Sequence, residues 1–79
     1  MLMHAYPNPF GGDITILCTT LNDEEASFTI TDVAGRIVEA FTHRTGSIQT
    51  GRKLSPGIYF VSMIQGNSHR TLKIVKTAE

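Results

Sequence analysis

Three histidines, one cysteine and a short acidic run are the residues whose types could do chemistry in this chain. His4, His43 and His69 lie far apart, and none has the close spacing by which paired histidines hold a metal. They read as solvated side chains on loops and strand ends. Cys18 is the single cysteine, so it can form no internal disulfide. It sits in "ITILC", where Leu17 and Thr19 offer neither base nor cation to activate a thiol, and it reads as a small buried hydrophobe. Asp23, Glu24 and Glu25 could attract calcium, but the alternating ligands and glycine pivot of an EF-type loop are missing. That run reads as a solvated loop. No serine stands in a G-x-S-x-G elbow. Gly11-Gly12 is a turn, since it does not follow a strand and open a helix as a phosphate loop must. The expectation is a protein that is not an enzyme and needs no cofactor or metal.

Charge and size narrow the reading further. Seven Lys and Arg balance seven Asp and Glu over 79 residues. The basic residues Arg36, Arg44, Arg52, Lys53, Arg70, Lys73 and Lys76 are scattered, so no nucleic-acid or anionic-membrane partner is expected. The apolar content is 41%, which suits one small globular domain. A domain of this size buries about 60–65% of its unfolded surface and has a total stability of roughly 4–12 kcal/mol. No apolar run is long enough to span a membrane as a helix, and no secretory leader is recognisable.

The elements that must position these residues are strands. "DITILCT" alternates, with Ile14, Ile16 and Cys18 on one face. "ASFTITD" alternates more cleanly, with Ala26, Phe28 and Ile30 opposite Ser27, Thr29 and Thr31. "DVAGR" then predicts a hairpin turn into "IVEAFT": Asp32 bonds its own backbone two residues on, and Gly35 supplies a positive φ. "LNDEEA" has no apolar stripe and reads as a polar loop. "HRTGSIQTGRK" is polar with one short strand near Ser47 to Gln49. Pro56-Gly57 suits a type II turn. Ile58 to Ile64 is apolar on both faces, as in a central strand covered on both sides. Gly66-Asn67 makes another turn, and "HRTLKIVK" places Leu72 and Ile74 inward. The predicted fold is all-β: a small immunoglobulin-like antiparallel β-sandwich of about six to seven strands. Ile14, Ile16, Cys18, Phe28, Ile30, Val38, Ile58, Phe60, Val61, Leu72 and Ile74 are expected inside. A sandwich has free edges, so edge-strand dimers are expected in concentrated samples.

"YPNPF", "DVAGR", "LSPGIYFV" and "LKIVK", in this order between Tyr6 and Lys76, resemble the type A C-terminal sorting domain of the type IX (Por) secretion system. The resemblance implies a secretion signal at the C-terminus of a larger exported precursor in Bacteroidota. Such a signal directs its cargo from the periplasm across the outer membrane, and is cleaved off after export. It implies as partners an outer-membrane translocon, a shuttle protein and a sortase-like signal peptidase, with the cargo secreted or held at the cell surface. By motif position, Tyr6, Pro7, Asn8 and Pro9 form the entry segment and Asp32, Gly35 and Arg36 the middle turn. Pro56, Gly57 and Tyr59 lead the central strand, and Lys73 and Lys76 close the segment that the machinery reads, with Lys76 expected to be exposed.

In "YPNPF" the prolines remove ladder donors and fix φ. They are expected to hold the chain extended while Tyr6 anchors its ring on the sandwich. On this reading residues 1–5 are a tag or linker remnant, 6–76 the sorting domain and 77–79 a C-terminal extension. Met1, five residues ahead of the motif, is expected to belong to an excised fragment. The alternative is a structural or adhesive Ig-like module, of the hook-cap or stalk kind, acting by protein–protein interaction or by strand addition at an open edge.

Overall fold

The computed structural model describes residues 1–78. Seven strands follow in chain order: β1 (Leu2–Tyr6), β2 (Ile14–Thr19), β3 (Ala26–Asp32), β4 (Ile37–His43), β5 (Gly46–Thr50), β6 (Gly57–Gln65) and β7 (Ser68–Lys76). They form a three-stranded sheet, β1-β2-β5, and a four-stranded sheet, β4-β3-β6-β7, with every strand pair antiparallel. The neighbours β2 and β5, like β3 and β6, are distant in sequence. The chain therefore crosses repeatedly between sheets, which makes a sandwich rather than two meanders. The polar stretch after β2 contains one 3-10 turn, Leu21–Asp23.

The inner faces meet in a core of Met3, Phe10, Ile14, Ile16, Cys18, Ala26, Phe28, Ile30, Tyr59, Val61, Met63 and Ile74. Phe41 stacks on Phe28 with ring centroids 5.1 Å apart and planes 7° from parallel. Cys18 is buried, and its thiol donates to the Arg44 carbonyl at 3.4 Å. Burial pushes its pKa up, so the thiolate that would react is disfavoured.

Several expectations are corrected. β6 is covered on one face only. Val61 and Met63 stand opposite Ile30 and Phe28 of β3, so register puts Tyr59, Val61 and Met63 in the core. Ile58 and Ile64 turn outward and are exposed, and Phe60 is half-buried. Leu72 is half-buried. Val38 is exposed because a bulge interrupts the β3–β4 ladder: Ile30 pairs with Glu39 but Thr31 pairs with Ile37. The extra residue shifts the alternation that sequence spacing assumed. Gly57 does not adopt the type II turn conformation. Its φ is 158°, and it already opens β6, opposite Lys76. Within residues 1–5, expected as a tag or linker remnant, Leu2 onward pairs with β2 and Met3 is buried. Of the 77–79 extension, Thr77 bonds back to Phe10, and residue 79 lies outside the described residues.

Candidate functional site

The first and last motifs are joined along the outer edge of β7, by bonds between residues 65 or more positions apart. The "YPNPF" segment leaves β1 at Tyr6 and bends through two cis peptide bonds, Tyr6-Pro7 and Asn8-Pro9. In place of the expected extended entry, residues 7–9 are a bend inside the folded unit, with β1 ahead of it. The Tyr6 ring does not anchor on the core; it is 51% exposed. Asn8 makes the contact instead. Its side-chain amide accepts from Val75 N–H at 2.9 Å and donates to the Lys73 carbonyl at 3.0 Å. An amide side chain has the donor and acceptor geometry of a peptide group, so Asn8 occupies the place of a neighbouring strand. Phe10 continues the pattern: its N–H donates to Val75 O at 2.9 Å, and its carbonyl accepts from Thr77 N–H at 2.8 Å. This makes an isolated parallel bridge between Phe10 and Lys76. Prolines fit at 7 and 9 because the pairing uses neither of their missing donors.

Lys76, expected to be exposed, is 6% exposed. The alternation of β7 puts it on the same face as Leu72 and Ile74. Its Nζ donates to Gly12 O at 2.9 Å, Gly51 O at 2.9 Å and Arg52 O at 3.2 Å. It also lies 5.0 Å from the centroid of the Phe10 ring, within cation–π range. Three acceptors match the three N–H donors of an ammonium group, which is what makes burial of the charge tolerable. Gly51 permits the arrangement. Its φ is +89°, and a Cβ there would stand 2.8 Å from Phe10 Cε2, so any side chain would push into the ring. Lys76 thus ties β7 to the turn before β2 and to the turn after β5.

Lys73 is the lysine that reaches solvent from this segment. It stands opposite Phe60, on the outer face of the four-stranded sheet. Tyr59 is core: it is 7% exposed, and its hydroxyl donates to the Ser55 carbonyl at 2.6 Å, fastening the loop that carries Pro56. Asp32, Gly35 and Arg36 form the turn that joins β3 to β4, with Asp32 opposite Tyr59. Asp32 Oδ1 accepts from Ala34 N–H at 2.9 Å and Arg36 N–H at 3.0 Å. Gly35, at φ 85°, donates to the Asp32 carbonyl. Arg36 Nε closes an ion pair with Asp32 Oδ2 at 2.8 Å. The Arg36 N–H is the main cause that holds the Asp32 carboxyl below its usual range.

The site therefore joins Asn8, Lys73 and Lys76, and leaves the Asp32 turn and Tyr59 as separate structural devices. Sequence reasoning missed Phe10, Gly12 and Gly51. Phe10 had a readable signal, as an aromatic residue directly after a proline-rich bend. Gly12 and Gly51 accept from Lys76 through carbonyls, which residue type does not reveal. Among the described residues, no group of three or more His, Cys, Asp or Glu is placed to hold a metal.

No curated protein matches the chain. Its fold is similar to part of a solved structure of PorZ, described as an essential bacterial surface component of the type-IX secretion system of Porphyromonas gingivalis. The TM-score is 0.75 at 20% identity, and the match covers 95% of this chain and 11% of that one. At that identity the likeness shows the fold. Membership rests on the sequence: a family model described as "secretion system C-terminal sorting domain" matches residues 4–77. With all but the ends of the chain matched, this protein belongs to the secretion system C-terminal sorting domain family.

Proposed function

We propose that this domain is the address of a larger exported precursor, and that the type IX machinery reads it as a folded unit. Its partners are an outer-membrane translocon, a shuttle protein and a sortase-like signal peptidase. Cleavage after export leaves the cargo secreted or at the cell surface. The observation that carries this reading is the seam in which Asn8 of the first motif and Lys76 of the last hold one strand end between them. A signal built from both ends of its own sequence exists only when folded. Buried Lys76 then has a structural role, while Lys73, solvent-facing on β7, is the lysine of the last motif that a receptor can touch.

The test is surface delivery of a reporter carrying a signal peptide and this domain in a type IX-competent cell. The reporter with the domain reaches the surface, and the reporter alone stays in the periplasm; equal delivery by both overturns the reading. Deleting "KIVK" does not separate recognition from folding, since it removes the last four of the 9 residues of β7. Lys73→Ala does separate them: it keeps the fold and lowers delivery. Undiminished delivery with a folded Lys73→Ala domain removes Lys73 from the recognition surface. The alternative, a rigid or adhesive Ig-like module, predicts a position inside its gene rather than at the end.

A further inference from the structure

We propose that β4 is a self-association edge, where β4 of one copy pairs antiparallel with β4 of a second copy, with Phe41 opposite Phe41. The inference does not rest on the sorting reading.

The two sheets leave β1, β5, β4 and β7 as edges, and three of these are poorly suited to self-pairing. β7 is bridged by Asn8 and Phe10 and carries Arg70, Lys73 and Lys76. β1 packs beside β7, where Arg70 Nε donates to the Met1 carbonyl at 3.1 Å. β5 is five residues long and begins with glycine. β4, "IVEAFTH", has seven residues and contains no Pro, Gly, Lys or Arg, residues that blunt an edge; its one blunting device, the bulge, is confined to the Ile37 end.

The register follows from bulge and charge. The bulge disturbs the Ile37 end of β4, leaving residues 39–43 as the regular run. A two-fold axis at Phe41 uses only that run. It sets Ala40 against Thr42 and Glu39 against His43, each pair twice. No like charges face each other, and the one carboxylate of the strand faces an imidazole. Glu39 already accepts from the Thr50 hydroxyl, which fixes its side chain at the rim. Pairing would continue the four-stranded sheet into one of eight strands, each half contributing its exposed Val38 and Ala40 to a common outer face.

Sedimentation equilibrium up to millimolar concentration tests this, with Thr42→Lys and Gln49→Lys as the pair of variants. Both substitutions fall at exposed positions, and far-UV circular dichroism with thermal melting checks that each variant is folded. The wild type shows a monomer–dimer equilibrium. Thr42→Lys weakens it about tenfold or more, by placing a cation at the join, while Gln49→Lys on β5 leaves it unchanged. Chains carrying Ala40→Cys and chains carrying Thr42→Cys, both with Cys18→Ala, then cross-link to each other rather than to themselves. Monomer at every concentration overturns the proposal and leaves β4 to a strand from another protein. A dimer unaffected by Thr42→Lys, or lost with Gln49→Lys, also overturns it. Self-cross-linking of Ala40→Cys overturns the register.

Discussion

Along β7, the outer edge of the four-stranded sheet is occupied by the chain's own first motif. Along β4, the opposite edge of that sheet, nothing among the described residues is paired beyond β3. The closed edge gathers a side-chain amide, a main-chain bridge and a buried ammonium within a few residues. The open edge keeps a bulge at one end and a stacked phenylalanine in its middle. Both strands belong to one small sandwich, so neither difference follows from the fold alone. Residues of this chain's first and last motifs are spent on closing β7. Its "YPNPF" and "LKIVK" motifs describe a join between two chain segments rather than two separate labels.

The largest break in that contrast comes from Lys76→Met. The stem remains, but three carbonyls lose their donor and Phe10 loses its cation. A loss of about 2–4 kcal/mol is expected by urea denaturation, a large share of the roughly 4–12 kcal/mol available to a chain of this size. A loss below about 0.5 kcal/mol, the level of an ordinary surface change, means the ammonium is not a structural tie.

A smaller effect is expected at Asn8. Asn8→Ala removes both mimic bonds and costs about 1–2 kcal/mol, moderated by their exposure to water. Asn8→Asp sharpens the point: it keeps the acceptor for Val75 N–H and loses the donor to the Lys73 carbonyl. Its stability should fall between wild type and Asn8→Ala. Equal stability of all three shows that the edge is closed by Phe10 alone.

The smallest effect belongs to the Asp32 turn, which joins β3 to β4. Because folding lowers the Asp32 pKa, the stability it contributes is present above the unfolded carboxylate value. It is lost as pH falls through the folded value. Asp32→Asn should therefore flatten the acid limb of the stability–pH curve and leave β7 untouched. An unchanged acid limb contradicts the assignment.

Much of this architecture is legible in the sequence. The alternation of β2 and β3, the Asp32–Gly35 turn and the two-residue Gly66-Asn67 hairpin follow from local pattern and backbone freedom. Where local pattern is ambiguous, register decides: apolar β6 shows Tyr59, Val61 and Met63 to the core because they share a face with buried Phe28 and Ile30 of β3. The bulge that exposes Val38 leaves no local mark. β1 is short and mixed in polarity, and its strand exists because β2 supplies the partner. Burial of Lys76 was written in its parity with Leu72 and Ile74. Its charge argued for solvent, and the carbonyls that outweigh that argument come from turns distant in sequence.

Native-state amide hydrogen exchange at Phe10, Val75 and Thr77 tests the join most directly. These three amides form the seam between first and last motifs. In the wild type they should exchange slowly and at similar rates, as one cooperative unit. In Lys76→Met all three should accelerate together, while amides in the middle of β3 keep their protection relative to the new global stability. Fast exchange at these positions in the wild type, or acceleration of one without the others, would contradict a single seam.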